Sequence, residues 1–177
     1  MIPAMKRFGG PAIFLDRSDI NTDEIIPAKY LTENSKEALR PYILEDLKLD
    51  GFDPRSPALA NAGAIVTRAN FGCGSSREHA VWVFEVNNIN MVIAESFARI
   101  FRQNMFNCGM LAIELPKEQI ERLFTMGGDV VITVDAGFSN FQARGKSGEL
   151  TCSIILNPFD RQLVMAGGWL AYADQKY

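Results

Sequence analysis

Two serines and an arginine follow a Gly-x-Gly turn in the run Asn70-Phe71-Gly72-Cys73-Gly74-Ser75-Ser76-Arg77-Glu78-His79-Ala80. Hydroxyls and a guanidinium set on a tight turn suit an anionic, oxygen-rich ligand. An apolar stretch, Ala62 to Ala69, leads into the turn, and a helical pattern leaves it at Glu78. Strand, glycine loop and helix start together offer unpaired N–H groups and the positive end of a helix dipole, both of which favour negative charge. Gly72 and Gly74 let the backbone approach a ligand with no Cβ in the way. Ser75 and Glu78 stand at capping-box spacing, which predicts that the helix begins here. On that local pattern alone, an N-cap without chemistry at Ser75 or Ser76 and a ligand site are equally good readings. No Gly-Lys-Ser/Thr follows and no third glycine completes a dinucleotide fingerprint, so neither nucleotide-binding loop is present.

A second polar cluster, Asp19-Ile20-Asn21-Thr22-Asp23-Glu24-Ile25-Ile26-Pro27, packs aspartates, an amide and a hydroxyl into a few residues. By itself it reads as an Asx-turn loop. Cys73, Cys108 and Cys152 are far apart, no Cys-x-x-Cys occurs, and His79 is the single histidine. Such a set predicts no metal or iron–sulfur site within the chain, since these need closely placed thiolates or imidazoles. Cys108 and Cys152 sit in apolar sequence and read as inert core residues.

The elements that must carry these groups follow from pattern. Pro11 to Asp16 predicts a strand, and Arg17 to Pro27 a loop. Glu37 to Leu47 predicts a short helix, and Asp50 to Pro57 a surface loop. Ala62 to Thr67 is a strand entering the glycine loop, Glu78 to Val86 a helix, and Ile89 to Ala94 a buried strand. Ser96 caps a helix to Phe106, and Met110 to Leu115 is a strand. Pro116 opens a helix that runs to Phe124 and stops at Gly127-Gly128. Val130 to Val134 and Leu150 to Leu156 are strands, with Asp135 to Gly148 a hairpin or longer turn between them. The tail from Pro158 is helical and interrupted at Gly167-Gly168. Strands alternate with helices in the middle while the ends are richer in β, which predicts a mixed α/β domain and not a pure doubly wound sheet. In open α/β sheets ligands sit at the C-terminal ends of strands, where the glycine loop falls.

The 177 residues fit one domain, 1–177, and are 47% hydrophobic and 22% charged, ordinary values for a globular protein. The net charge of −3, with no basic run, excludes nucleic acid as the expected partner. No apolar segment follows Lys6 and Arg7 as a signal peptide would require, and no run approaches the ~18 residues that cross a bilayer. The chain therefore reads as cytoplasmic, with no membrane partner.

Taken together, Asp-x-Asn-Thr-Asp-x-Ile-Ile-Pro and Phe-Gly-Cys-Gly-Ser-Ser-Arg-Glu-His-Ala closely resemble the small subunits of the isopropylmalate dehydratase family, in the aconitase superfamily. The resemblance extends through Ala94 to Phe101 and Asn104 to Gly109, essentially the whole chain. It implies an aconitase-type swivelling β/β/α domain, a mixed sheet with flanking helices. It implies a hydro-lyase that interconverts 2-isopropylmalate and 3-isopropylmalate by dehydration and rehydration, in leucine biosynthesis. No cofactor is then expected in this chain; a [4Fe–4S] cluster belongs to a partner large subunit, where one open iron acts as Lewis acid on the substrate hydroxyl and a carboxylate. The family's base matches Ser75. A serine hydroxyl is a poor base unless N–H donors and a cation stabilise its alkoxide, and Arg77 with the loop amides can do so. Ser76, Arg77 and the bare backbone at Gly74 match the substrate-carboxylate grip, with Arg77 able to bind bidentately. Asp23 matches the family's active-site aspartate, with a hydrogen-bonding and orienting role. Thr22 and His79 are expected to be structural, and Cys73, at a position where true aconitases tend to be acidic, to pack.

Substrate choice in the family is tied to the loop Ala28-Lys29-Tyr30-Leu31-Thr32-Glu33-Asn34. Homologues acting on longer tricarboxylates tend to place an arginine just after the Tyr-Leu pair, where this chain has Thr32. Leu31 and Thr32 suit an alkyl group better than a third carboxylate, whose burial without a cation is costly. The loop lacks the longer arginine- and glycine-bearing insertion of many bacterial members, and so related acids remain open: citraconate or methylmalate, dimethylmalate, homoaconitate. From another class, a non-catalytic anion-binding module would use the glycine loop only to hold a carboxylate or phosphate.

Overall fold

Seven strands form one mixed sheet in the computed structural model, which describes residues 6–177. The signal-peptide reading of Met1 to Arg7 lies outside the described residues over 1–5. In chain order the strands are β1 (Gly10–Leu15), β2 (Ala64–Thr67), β3 (Met91–Ala94), β4 (Leu111–Glu114), β5 (Val131–Val134), β6 (Asn140–Gly145) and β7 (Gly148–Ser153). They lie in the order β4-β3-β2-β1-β5-β6-β7. β1 to β4 are parallel, β5 runs antiparallel to β1, and β6 and β7 complete an antiparallel meander. The expected α/β class, a mixed sheet with flanking helices, holds.

The two halves of the sheet differ because their sequences do. β2 (AIVT) and β3 (MVIA) are buried at every position, as parallel strands covered on both faces must be. β6 and β7 alternate instead: Phe141 and Ala143 pair with Cys152 and Leu150 on the buried side, while their neighbours face outward.

The helices are α1 (Thr22–Ile25), α2 (Pro57–Ala60), α3 (His79–Val86), α4 (Arg99–Asn107), α5 (Lys117–Phe124), α6 (Pro158–Ala166) and α7 (Trp169–Lys176). None among the described residues is long and apolar enough to cross a membrane. Four phenylalanines knit α3 and α4 to the segment after β2. Phe71 lies 6.0 Å from Phe84, 6.2 Å from Phe97 and 5.4 Å from Phe101, ring centre to ring centre. Burying one such ring stabilises the fold by about 1.5–3 kcal/mol.

Several local expectations are corrected. The predicted capping box at Ser75 and Glu78 does not form; α3 begins at His79 with Glu78 at its N-cap. A capping box forms inside the predicted loop Arg17 to Pro27, where Asn21 Oδ1 accepts from Glu24 N–H at 3.0 Å and Glu24 Oε1 accepts from Asn21 N–H at 3.2 Å, producing α1. Ser96 does not cap α4, which starts three residues later behind Ala98. The hairpin or longer turn predicted for Asp135 to Gly148 contains a whole strand, β6. The helix predicted from Glu37 to Leu47 is a 3-10 segment, Glu37–Tyr42, with Pro41 inside it. Pro116 stands at the N-cap of α5 and not at its first position.

Candidate functional site

β2 ends at Thr67, and the chain then runs between two walls that it bonds through its backbone. On one side Gly72 N–H donates to Ile20 O at 2.8 Å and Thr22 N–H to Cys73 O at 2.9 Å. On the other, Phe71 N–H donates to Ser96 O at 3.1 Å and Ala98 N–H to Phe71 O at 2.9 Å. Ser96 Oγ, freed from capping, accepts from Asn70 N–H at 2.8 Å. The buried Thr22 hydroxyl donates to Ser75 O at 2.7 Å. That bond explains the missing capping box: the loop is held by the residue that opens α1, and the helix can start only four residues after Ser75.

Gly72 and Gly74 both have left-handed backbones, φ +82° and +90°. At Gly72 a Cβ would stand 2.2 Å from Cγ of Phe101. The glycine therefore lets α4 lie directly against the loop, and a cleft of about 650 Å³ opens between them. Gly72, Gly74, Ser76 and Arg77 line one side. Arg99, Ile100, Gln103 and Asn104 of α4 line the other.

Of the residues predicted to act, Gly74, Ser76 and Arg77 thus face this cleft. Ser75 is exposed between two lining residues but does not itself line the cleft. Asp23 lies beside it and accepts a hydrogen bond from Nη1 of Arg77, forming an ion pair. Arg77 is the more buried partner, with its side chain 15% exposed against 59% for Asp23. Such a half-open pair contributes at most about 1 kcal/mol to stability, so its importance is orientation of the guanidinium. Leu31, half-buried, and Thr32, exposed, are not among the lining residues. Their loop opens with a 3-10 turn, Ala28–Tyr30, whose Tyr30 stacks on Tyr42 at 3.8 Å. His79 joins that loop to α3, its Nε2 lying 3.4 Å from Glu33 O and its ring 4.7 Å from Trp82.

Electrostatics brace the Asp19–Ile25 wall. Burial pushes the Glu24 carboxyl up, but the hydrogen bonds from Arg17 and Asn21 outweigh it and hold the group below its ordinary value. Burial, aided by Asp19, pushes the Cys73 thiol up.

The α4 wall is the part of the site that motif reading misses. Its signal is present in the sequence: Arg99, Gln103 and Asn104 form a polar helical stripe opposite the buried Phe101, Met105 and Phe106. Such a stripe ordinarily marks a solvated face, and only the contact with Gly72 turns it into a wall.

Residues 54–118, which span β2, the serine loop, α3, β3, α4 and β4, match the Aconitase C-terminal domain family. The chain is 40% identical over 156 residues to 3-isopropylmalate dehydratase small subunit 2 of Deinococcus radiodurans, covering 88% of this chain and 71% of that one. The chain belongs to the 3-isopropylmalate dehydratase small-subunit family. A further member, from Aliarcobacter butzleri, is 38% identical over 157 residues, 88% of either chain. The crystal structure of 3-isopropylmalate dehydratase (LeuD) from Methanocaldococcus jannaschii superposes with a TM-score of 0.77 at 28% identity, over 96% of this chain and 94% of that one.

In this member of the family the cysteines do not fit an iron–sulfur cluster. Cys73 is in the serine loop, Cys108 ends α4 and Cys152 is on β7. Burial pushes all three thiols up, Cys108 to about 11, the opposite of what a thiolate ligand needs. Among the described residues no group of three or more His, Cys, Asp or Glu is placed to hold a metal ion. What the cleft and its rim offer a ligand is hydroxyls, amides and guanidinium groups.

Proposed function

We propose that this chain is the small subunit of a hydro-lyase that interconverts 2-isopropylmalate and 3-isopropylmalate in leucine biosynthesis. It acts in the cytoplasm as one swivel-type domain, 1–177, docked on a large subunit that carries the [4Fe–4S] cluster. Family membership supports the reaction. The observation that carries the site is the serine loop itself: Ser75 and Ser76 project from a backbone pinned on both sides, next to an arginine oriented by Asp23.

The parts divide the work. A guanidinium has five N–H donors. Asp23 takes one from Nη1 of Arg77, and the others remain for a substrate carboxylate, with the Ser76 hydroxyl beside them. Gly74, without a Cβ, lets the carboxylate reach the loop backbone. Ser75 takes the proton from the carbon next to that carboxylate. The Arg77 cation, two residues along the same loop, stabilises the Ser75 alkoxide. Leu31 and Thr32 meet the alkyl end of the substrate from their separate loop once the two subunits close around it.

The test is Ser75→Ala in the complex with the large subunit, assembled anaerobically. The expected fall in kcat is ~10³-fold or more, with folding and assembly unchanged. Activity within about tenfold of the parent would mean that Ser75 is a loop residue and not the base. The isolated chain should bind no iron and turn over nothing.

A further inference from the structure

We propose that Arg99 is a second carboxylate-binding residue of the cleft and takes the substrate carboxyl that Arg77 does not. The proposal rests on the functional reading above and extends it to α4. The substrate class is a dianion, and each carboxylate taken out of water needs charged or hydrogen-bonding partners. The charge of Arg77 is already shared with Asp23. Among the described residues the cleft lining holds two arginines and no carboxylate, so the positive charge it presents beyond that pair comes from Arg99.

Arg99 is exposed and makes no ion pair or side-chain hydrogen bond among the described residues. Its neighbour Arg102 is committed, 3.6 Å from both Glu114 and the buried Asp160. One residue of α4 thus anchors the helix, while the other is left facing the serine loop. The wall cannot drift away, because Phe101 fills the place where a Cβ on Gly72 would stand. Gln103 donates to Asn107 at 3.1 Å along the same helix, which leaves Asn104 as the amide beside Arg99. A guanidinium opposite a carboxylate binds through two parallel N–H bonds, a geometry that an ammonium cannot reproduce.

The experiment uses the assembled two-subunit enzyme, with Arg99→Gln and Arg99→Lys. Dissociation constants are measured by calorimetry for 3-isopropylmalate and for 2-(hydroxymethyl)-3-methylbutanoate, which keeps the isopropyl group and the carboxylate on the carbon that loses its proton and lacks the carboxylate on the hydroxyl-bearing carbon. Arg99→Gln should weaken the diacid by about ten- to a hundredfold and leave the monoacid within about twofold, while KM rises with little change in kcat. Arg99→Lys should recover part of the loss. Equal weakening of both acids, no weakening, or a loss confined to subunit association in sedimentation would overturn the assignment. If the parent turns over 3-isopropylmalate and Arg99→Gln does so with unchanged KM, this assignment alone fails. If the parent complex binds neither acid, the functional reading fails with it.

Discussion

Gly72→Ala tests whether the contact between the serine loop and α4 is as tight as its geometry states. The residue has φ +82°, where a side chain costs about 1–2 kcal/mol. The added Cβ would lie 2.2 Å from Cγ and 2.6 Å from Cβ and Cδ1 of Phe101. That ring is 3% exposed and held edge-on by Phe71 and Phe84, so it cannot swing aside. Overpacking of this kind costs about 1–3 kcal/mol, for a total of about 2–5 kcal/mol. Gly51→Ala supplies the control. Gly51 has nearly the same φ, +78°, and nothing within 4 Å of its ideal Cβ, so it carries the backbone cost alone. The entropy lost by the unfolded chain is common to both substitutions and cancels in the comparison. Urea unfolding should show a lower midpoint at unchanged slope for both variants. The melting temperature should fall by about 5–15 °C for Gly72→Ala and by less than half that for Gly51→Ala. Equal losses would refute the close approach, and with it the rigidity of the α4 wall.

Two other outcomes are expected. Thr32→Arg should shift the ratio of kcat/KM for isopropylmalate over homoaconitate by about one to two powers of ten toward the tricarboxylate, the size of a new charge-assisted hydrogen bond of about 1.5–3 kcal/mol; an unchanged ratio would remove Thr32 from the selectivity loop. Burial pushes the Glu85 carboxyl up, but Lys36 at 2.5 Å and Lys6 at 2.8 Å hold it below its ordinary 4.5. Its folded value being the lower one, the stability it adds is present above 4.5 and disappears as pH falls through the folded value. Glu85→Gln should therefore cost about 1 kcal/mol at pH 7, with the unfolding curves of parent and variant converging in acid.

What could be read in the sequence follows the range of the interactions involved. β2 and β3 are continuous apolar runs, and their burial is written in four residues each. β6 carries only Phe141 and Ala143 on its inward face, among Gly137, Ser139, Asn140, Gly145 and Gly148. Turn-forming residues at both ends hid a strand that exists because β5 and β7 flank it. Asn21-x-x-Glu24 and Ser75-x-x-Glu78 have the same capping spacing, yet only the first forms a box. The difference is the Thr22 hydroxyl, 53 positions away in sequence, which holds the Ser75 carbonyl and delays the helix. The serine loop was legible as a motif. Its opposite wall was not, because nothing in residues 99–104 refers to Gly72.

The three stretches that make this loop come from opposite parts of the chain. Residues 18–22 meet it across about fifty positions and residues 96–98 across about twenty-six. Such long closures are entropically expensive until the sheet between them exists. The serine edge is consequently among the last features a folding chain completes, and a partly folded chain offers a large subunit no serine edge to recruit. Acquisition of activity during refolding, followed beside the recovery of far-ultraviolet ellipticity, should therefore lag behind the formation of the strands.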